Sequence, residues 1–166
     1  MLRLVDLDLP AFDDALATPS RLGTRLEARE EPGWIGWPEA VEFSRAELSR
    51  RPEIFGFWTC AFLLEEPAER TLIGLGGYKG PPDGSACVEI GYNVAPAFRG
   101  RGLATQAAAE LVRRAFADPR VASVCAHTLP ERNASVRVLE KNGFRKAGEA
   151  VDDDVGRVWR WQLERR

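Results

Sequence analysis

The sequence predicts a single α+β domain over residues 1–166, a central mixed, mostly antiparallel sheet of about seven strands flanked by about four helices. Three observations carry that expectation. "FGFWTCAFLLE", "TLIGLGGYKG" and "ACVEIGYNV" are strand-like runs rich in β-branched and aromatic residues, and "PPDG" makes the turn before the third, so they read as an antiparallel meander. The helical stretch at 101–116 then leads through "DP" to the apolar run "VASVCAHT" at 121–128. That is a βαβ unit, so residues 87–94 and 121–128 should pair in parallel with a right-handed crossover. Last, "FRKAGEA" and "VGRVWRWQL" flank a "DDD" turn and complete the sheet.

In chain order, residues 2–6 form a first strand, and "PAFDDALAT" opens a short helix with Pro10 near its first turn. Periodicity is lost from about Gly23 to Pro38, a loop ending in "EPGWIGWPEA", and residues 39–50 resume helical spacing through Val41, Phe43 and Leu48. In the crossover helix Leu103, Ala107, Leu111 and Ala115 make a packing stripe, with Gln106, Glu110, Arg113 and Arg114 on the other flanks. A further helix at about 134–142 stops at Gly143, a fitting C-cap. In the last strand Val155, Trp159, Trp161 and Leu163 are expected to share one face.

Composition removes several function classes. The 23 Lys plus Arg residues nearly balance 25 Asp plus Glu, which is not the basic character that phosphate backbones recruit, so nucleic acid is not the expected partner. No apolar run approaches the roughly 18 residues of a membrane span, and a soluble cytoplasmic protein is expected. Three widely separated cysteines and one histidine fit neither a disulfide framework nor a zinc site, so no metal is expected.

The stretch with a chemical signature is "RGRGLA", residues 99–104, at the mouth of the crossover helix. The first turn of a helix has unpaired N–H groups and the positive end of the dipole, so an anion there gains several hydrogen bonds at once. Gly100 and Gly102 leave its approach open, and Arg99 and Arg101 add charge, which together suit a pyrophosphate. A solvated glycine-rich turn would have the same six residues. A P-loop needs Gly-Lys-Ser/Thr, where this chain has Leu103-Ala104-Thr105. A dinucleotide fold wants glycine or alanine in place of Thr105 and more βα units than the remaining residues can build.

Arg99-Gly100-Arg101-Gly102-Leu103-Ala104 fits the Arg/Gln-x-x-Gly-x-Gly/Ala signature of the GNAT acetyltransferase superfamily, and the neighbouring segments resemble it too. "VEIGYNVAPAFRGRGLATQA" is similar to that family's fourth strand and cofactor-binding helix, and "ERNASVRVLEKNGF" to its next helix and the Gly-Phe after it. Together they cover residues 88–144. The wording is closest to the branch with the ribosomal-protein alanine acetyltransferases. The resemblance implies a sheet splayed between its fourth and fifth strands with acetyl-CoA wedged in the gap. It implies that the N–H groups of Gly100, Gly102, Leu103 and Ala104 hold the pyrophosphate, with Arg99, Arg101 and Thr105 beside them. The backbone around Val94, with Tyr92 and Asn93, would pair with the pantetheine arm, and Asn133 would bind the arm from the other side. In this branch an Asn often stands three residues before the Ser, a place that Arg132 takes here, and Glu140 stands where many relatives have a proton-donating tyrosine.

Acetyl transfer to an amine needs a neutral nucleophile, a polarised thioester carbonyl and a proton for the departing thiolate. Val88, Ile90, Tyr92 and Val94 make the apolar face of their strand, so Glu89 faces the other way and is the carboxylate nearest the implied thioester. It is the candidate base, acting through water, with an ion pair as its structural alternative. His127, the only histidine, is a second candidate base or a packed, hydrogen-bonded strand residue, and Ser135 is either a proton donor or a helix cap. Trp34 and Trp37 are candidates for the wall of an acceptor pocket or for core positions. The expected function is an acetyl-CoA-dependent N-acetyltransferase acting by direct attack on a primary amine of a small molecule or a peptide N-terminus. The alternative is a non-catalytic acyl-CoA-binding or sensing domain. No membrane partner is expected, and such folds often form homodimers.

Overall fold

The architecture comes from a computed structural model that describes residues 1–18 and 20–165. In chain order the elements are β1 (Leu2–Asp6), α1 (Leu9–Leu16), α2 (Leu22–Arg25), β2 (Arg29–Glu30), α3 (Pro38–Arg50), β3 (Thr59–Glu65), β4 (Arg70–Tyr78), β5 (Cys87–Val94), α4 (Leu103–Ala117), β6 (Ser123–Thr128), α5 (Ala134–Lys141), β7 (Arg145–Asp152) and β8 (Gly156–Glu164). Short 3-10 turns lie at Pro52–Ile54 and Pro96–Phe98. The sheet runs β1-β3-β4-β5-β6-β8-β7, with β2 added in parallel on β4 at Thr71 and Leu72. The expected meander, parallel β5–β6 pair and terminal hairpin are all present.

The sequence reading departs from the structure at short elements. The sheet has eight strands and the chain five α-helices among the described residues, because α2 and β2 lie inside the stretch read as a loop. Four and two residues are too short to show a period. They are held by the Glu30 carboxylate, which accepts from the Gly23 N–H (2.6 Å), the Ser20 hydroxyl (2.9 Å) and the Trp34 indole N–H (3.1 Å). The first meander strand begins at Thr59 rather than Phe55, since Gly56 turns the chain at φ +90°. Val155 is not on the β8 face with Trp159, Trp161 and Leu163. It sits in the β7–β8 turn, where Asp152 accepts from the N–H groups of Asp154 (2.9 Å) and Val155 (3.1 Å).

The sheet is covered on both faces. On one, Leu103, Ala107, Ala108, Leu111 and Ala115 of α4 and Val136 and Leu139 of α5 pack on Val88, Ile90, Val94, Val124 and Ala126. On the other, Phe12 of α1, Val41 and Leu48 of α3, Trp34 and Trp58 close over Ala61, Leu72 and Leu75. Polar contacts fix α4 in register. The buried Tyr78 hydroxyl donates to the Leu111 carbonyl (2.6 Å), Arg114 reaches the Leu4 carbonyl (2.7 Å) and Asp6 (3.2 Å), and Arg165 caps the last turn through the Phe116 carbonyl (2.6 Å) while also reaching the Val121 carbonyl beyond the helix (2.8 Å).

The β4–β5 pairing depends on close backbone approach. A Cβ at Gly76 would lie 2.5 Å from the Gly91 carbonyl oxygen and 2.5 Å from Phe62 Cζ, whereas one at Gly84 would meet nothing within 4 Å. Gly76→Ala should therefore lower the urea unfolding free energy by about 1–3 kcal/mol. Gly84→Ala should leave it within about 0.5 kcal/mol, and equal effects at the two sites would contradict the register.

Candidate functional site

The site begins where a ladder ends. β5 and β6 pair only at Cys87–Ser123, Val88–Val124 and Glu89–Cys125, after which β5 continues five residues to Val94 while β6 follows β8 to Thr128. On its other edge β5 stays bonded to β4, with Lys79 N–H donating to the Glu89 carbonyl (2.9 Å) and Ala95 N–H to Ile73 (2.7 Å). By strand alternation, Glu89, Gly91 and Asn93 turn their backbone groups to β4. The N–H and C=O of Tyr92 and the N–H of Val94 therefore face the gap. The Val94 carbonyl accepts from Arg99 Nε at 3.0 Å, which folds that guanidinium back over the strand end.

At the far end of the gap the chain makes a cradle. Gly100 and Gly102 both take positive φ, +76° and +75°, and Gly102 is the N-cap of α4 with no side-chain cap. A Cβ at either glycine would meet no atom within 4 Å, so the space beside the turn is open. Among the described residues none of the N–H groups from Gly100 to Thr105 has an acceptor, as expected for a left-handed turn running into a helix start. Such a series of converging donors at the positive end of a helix dipole fits a pyrophosphate. Arg101 stacks on Phe98, 4.9 Å from the ring centroid, and reaches Glu66 at 3.4 Å.

α5 forms the opposite bank. Asn133 is its N-cap, with Oδ1 accepting from Val136 N–H at 3.0 Å, so the capping role considered for Ser135 belongs to Asn133. Ser135 sits one residue inside the helix, half-buried, and its carbonyl accepts from the Tyr92 hydroxyl at 3.3 Å, so the Tyr92 side chain spans the gap from β5 to α5. Burial pushes the Tyr92 phenol well up, which keeps it a neutral donor. Thr105 ties the banks together through its carbonyl, which accepts from Asn142 Nδ2 at 3.2 Å. Arg132 and Glu140, the two departures from the family wording, pair with each other at 3.1 Å.

The other face of the fork holds a charged cluster. Glu89 Oε1 lies 2.9 Å from His127 Nδ1 and 2.5 Å from Lys79 Nζ, with the Glu89 and His127 side chains 22% and 24% exposed. The sequence reading offered Glu89 and His127 as rival bases. The structure joins them and adds Lys79, which that reading missed, although the hairpin turn at "PPDG" sets it across from Glu89. Arg160 is the β8 partner of His127, and the Asp152 carboxyl is held low by the N–H groups of Asp154 and Val155, with the charge of Lys79 adding to that effect. Beside them burial pushes the Cys125 thiol up to about 12, aided by Cys87.

The tryptophan loop lies across the end of β5, with Gly33 against Pro96 and Gly36 against the Asn93 side chain. Trp34 turns inward from it. At 5% exposure and with its indole N–H on Glu30, it is part of the helical core and not of a cleft wall. Trp37 is 40% exposed at the start of α3. Asn93, expected beside the pantetheine arm, points its side chain away from the gap under Gly36, where its Nδ2 is buried without a partner, because the period of two puts it on the face opposite Tyr92 and Val94.

Among the described residues no group of three or more His, Cys, Asp or Glu side chains is arranged to hold a metal ion, and no helix is long and apolar enough to cross a membrane. The profile of the acetyltransferase (GNAT) domain matches residues 3–145. Over 145 residues the chain is 26% identical to the uncharacterized N-acetyltransferase YjdG of Bacillus subtilis (strain 168), covering 86% of this chain and 85% of the relative. The fold is similar to that of a spermidine N-acetyltransferase SpeG chimera from Vibrio cholerae and hSSAT, with TM-score 0.65, 18% identity and coverage of 98% and 95% of the two chains. It is also similar to that of the microcin C7 self-immunity acetyltransferase MccE in complex with acetyl-CoA and AMP, with TM-score 0.66, 11% identity and coverage of 99% and 92%. With the family model spanning residues 3–145, the chain belongs to the GNAT acetyltransferases, as an acyltransferase whose donor is acetyl-CoA.

Proposed function

We propose that the protein moves an acetyl group from acetyl-CoA to a primary amine of a small molecule or a peptide N-terminus, by direct attack while both substrates are bound. The observation that carries this reading is the continuity of unpaired backbone donors. They run from the N–H groups of residues 100–105 along the gap to Val94 and Tyr92, and end at the fork beside Glu89. A pyrophosphate suits the first part, and an amide-bearing arm suits the second as a substitute strand. The thioester then lies near the fork, and the amine approaches from the face carrying Glu89 and His127.

The charged cluster on that face supports an amine acceptor, since an ammonium must shed a proton before it attacks. About 14% of an α-amine is neutral at pH 7, against about 0.04% of a lysine-like amine, so a base counts for more with the latter. The wording of residues 88–144, close to the ribosomal-protein alanine acetyltransferases, supports a peptide N-terminus, and the likeness to an enzyme named for spermidine supports a small amine. Three free cysteines fit a reducing, cytoplasmic setting. The Arg132–Glu140 pair, standing where relatives have other groups, favours a second reading, an acyl-CoA sensor without turnover.

Calorimetry should show acetyl-CoA binding and no binding of NAD. Gly102→Asn and Gly102→Asp both tolerate the left-handed backbone, so their difference isolates charge. Asp should weaken acetyl-CoA by roughly 100-fold more than Asn, and equal affinities would overturn the phosphate assignment. Thiol release from acetyl-CoA over a panel of a polyamine, an amino acid amide, a short peptide and an aminoglycoside should accelerate with at least one member. Tight acetyl-CoA binding with no acceleration across the panel would favour the sensor.

A further inference from the structure

Glu89, His127 and Lys79 meet at the fork as one charged cluster, a contact that the sequence pattern does not carry. We propose that His127 takes the proton of the attacking amine, that Glu89 is a positioning residue which orients the imidazole, and that Lys79 holds Glu89 in place. The inference rests on the acetyl-transfer reading above and deepens it.

β6 directs Val124 and Ala126 into the core under α4 and α5, so His127 lies on the opposite face together with Glu89. The β5–β6 ladder ends at Glu89–Cys125, and His127 is two residues further on, where the strands have already parted. Its ring therefore stands at the throat of the fork, partly open to water at 24% exposure. A carboxylate only accepts hydrogen bonds, so the 2.9 Å contact puts hydrogen on Nδ1 of the neutral ring and leaves the Nε2 lone pair free. Glu89 Oε1 is already engaged by two donors, the imidazole and the Lys79 ammonium at 2.5 Å, and this suits it to holding a neighbour. The imidazolium formed on proton transfer would be balanced by the Glu89 charge, as a carboxylate stabilises the histidine of other proton-transfer pairs.

The remaining titratable and charged groups near the ring are Arg160 on β8, Asp152 on β7 and the neutral Cys125 thiol on its own strand, with Asp83 close to Arg160. The step balances without any further reactant. The amine nitrogen bonds to the acetyl carbon and the carbon–sulfur bond breaks with its electron pair on sulfur. One proton passes from nitrogen to His127 Nε2 and then, directly or through water, to the CoA sulfur.

The test compares wild type with His127→Gln, Glu89→Gln and Lys79→Met. It measures kcat and KM for thiol release across pH with whichever panel amine is turned over, or with water as acceptor if none is. Calorimetric acetyl-CoA affinity and circular dichroism are controls. His127→Gln should lower kcat about 100-fold and abolish the acidic limb of the profile, with acetyl-CoA affinity unchanged. Glu89→Gln should cost about tenfold and move that limb rather than remove it, because the amide oxygen still accepts from Nδ1 while the charge is gone. A His127→Gln enzyme with wild-type kcat and limb would overturn the proposal, and so would loss of the limb in Glu89→Gln alone. The chain has one histidine, so its imidazole gives a single NMR signal set that needs no ligand. Hydrogen on Nδ1 and changed imidazole chemical shifts in Glu89→Gln are expected, whereas an Nε2–H ring indifferent to Glu89→Gln overturns the pairing even if acetyl-CoA does not bind. Absent acetyl-CoA binding in the wild type would instead sink the donor reading.

Discussion

Beyond Glu89 and Cys125 two neighbouring strands stop bonding to each other, and the candidate site lies along that interruption. A central strand in a sheet ordinarily has partners on both edges, because unpaired N–H and C=O groups are costly once they leave water. Here β5 keeps β4 on one edge and offers Tyr92 and Val94 on the other to solvent or to a ligand. The interruption is held open by structure on both banks. β6 is committed to β8 through Thr128, and the Trp161 indole donates to the Thr128 hydroxyl at 3.0 Å, while β5 is fixed by close glycine contacts to β4 and by Arg99 on the Val94 carbonyl.

The two faces of the fork divide the chemistry between them. The face under α4 and α5 is apolar up to the helix starts, where the backbone offers unpaired donors, so in the proposed reading recognition of the donor substrate depends little on side-chain identity. The opposite face is polar at the fork and packed further along, where the tryptophan loop crosses Asn93 and Pro96. A proton acceptor belongs on the wetter face, where an ammonium can approach and lose its charge, and that is the face on which Glu89, His127 and Lys79 meet. In the proposed reading the thioester arm and the amine meet at one point from opposite sides.

Much of this could be read from the residues. Alternation and turn chemistry located β3, β4, β5, β7 and β8 to within a few residues, and the alanine stripe located α4, because long periodic segments bury a whole face and tolerate few exceptions. The glycine-arginine turn announced its own open geometry, since only residues content at positive φ stand at 100 and 102. What escaped was tertiary. β2 and α2 exist because Glu30 gathers three donors from separate segments, and Trp34 is core because that same carboxylate accepts its indole N–H. The Glu89–His127 contact joins residues 38 apart, and a one-dimensional pattern carries each of them without the contact. Asn93 was assigned to the gap by its neighbours' role, although a period of two already sends its side chain to the other face.

Residue-resolved amide hydrogen exchange, with and without saturating acetyl-CoA, tests the central claim most directly. The account predicts that the amides of Gly102, Leu103, Ala104 and Thr105, which have no acceptor in the protein, exchange fast alone and slow sharply with acetyl-CoA, together with Tyr92 and Val94 along the gap. Unchanged exchange at these amides while acetyl-CoA is bound would contradict it, because the ligand would then be held somewhere other than the open ladder.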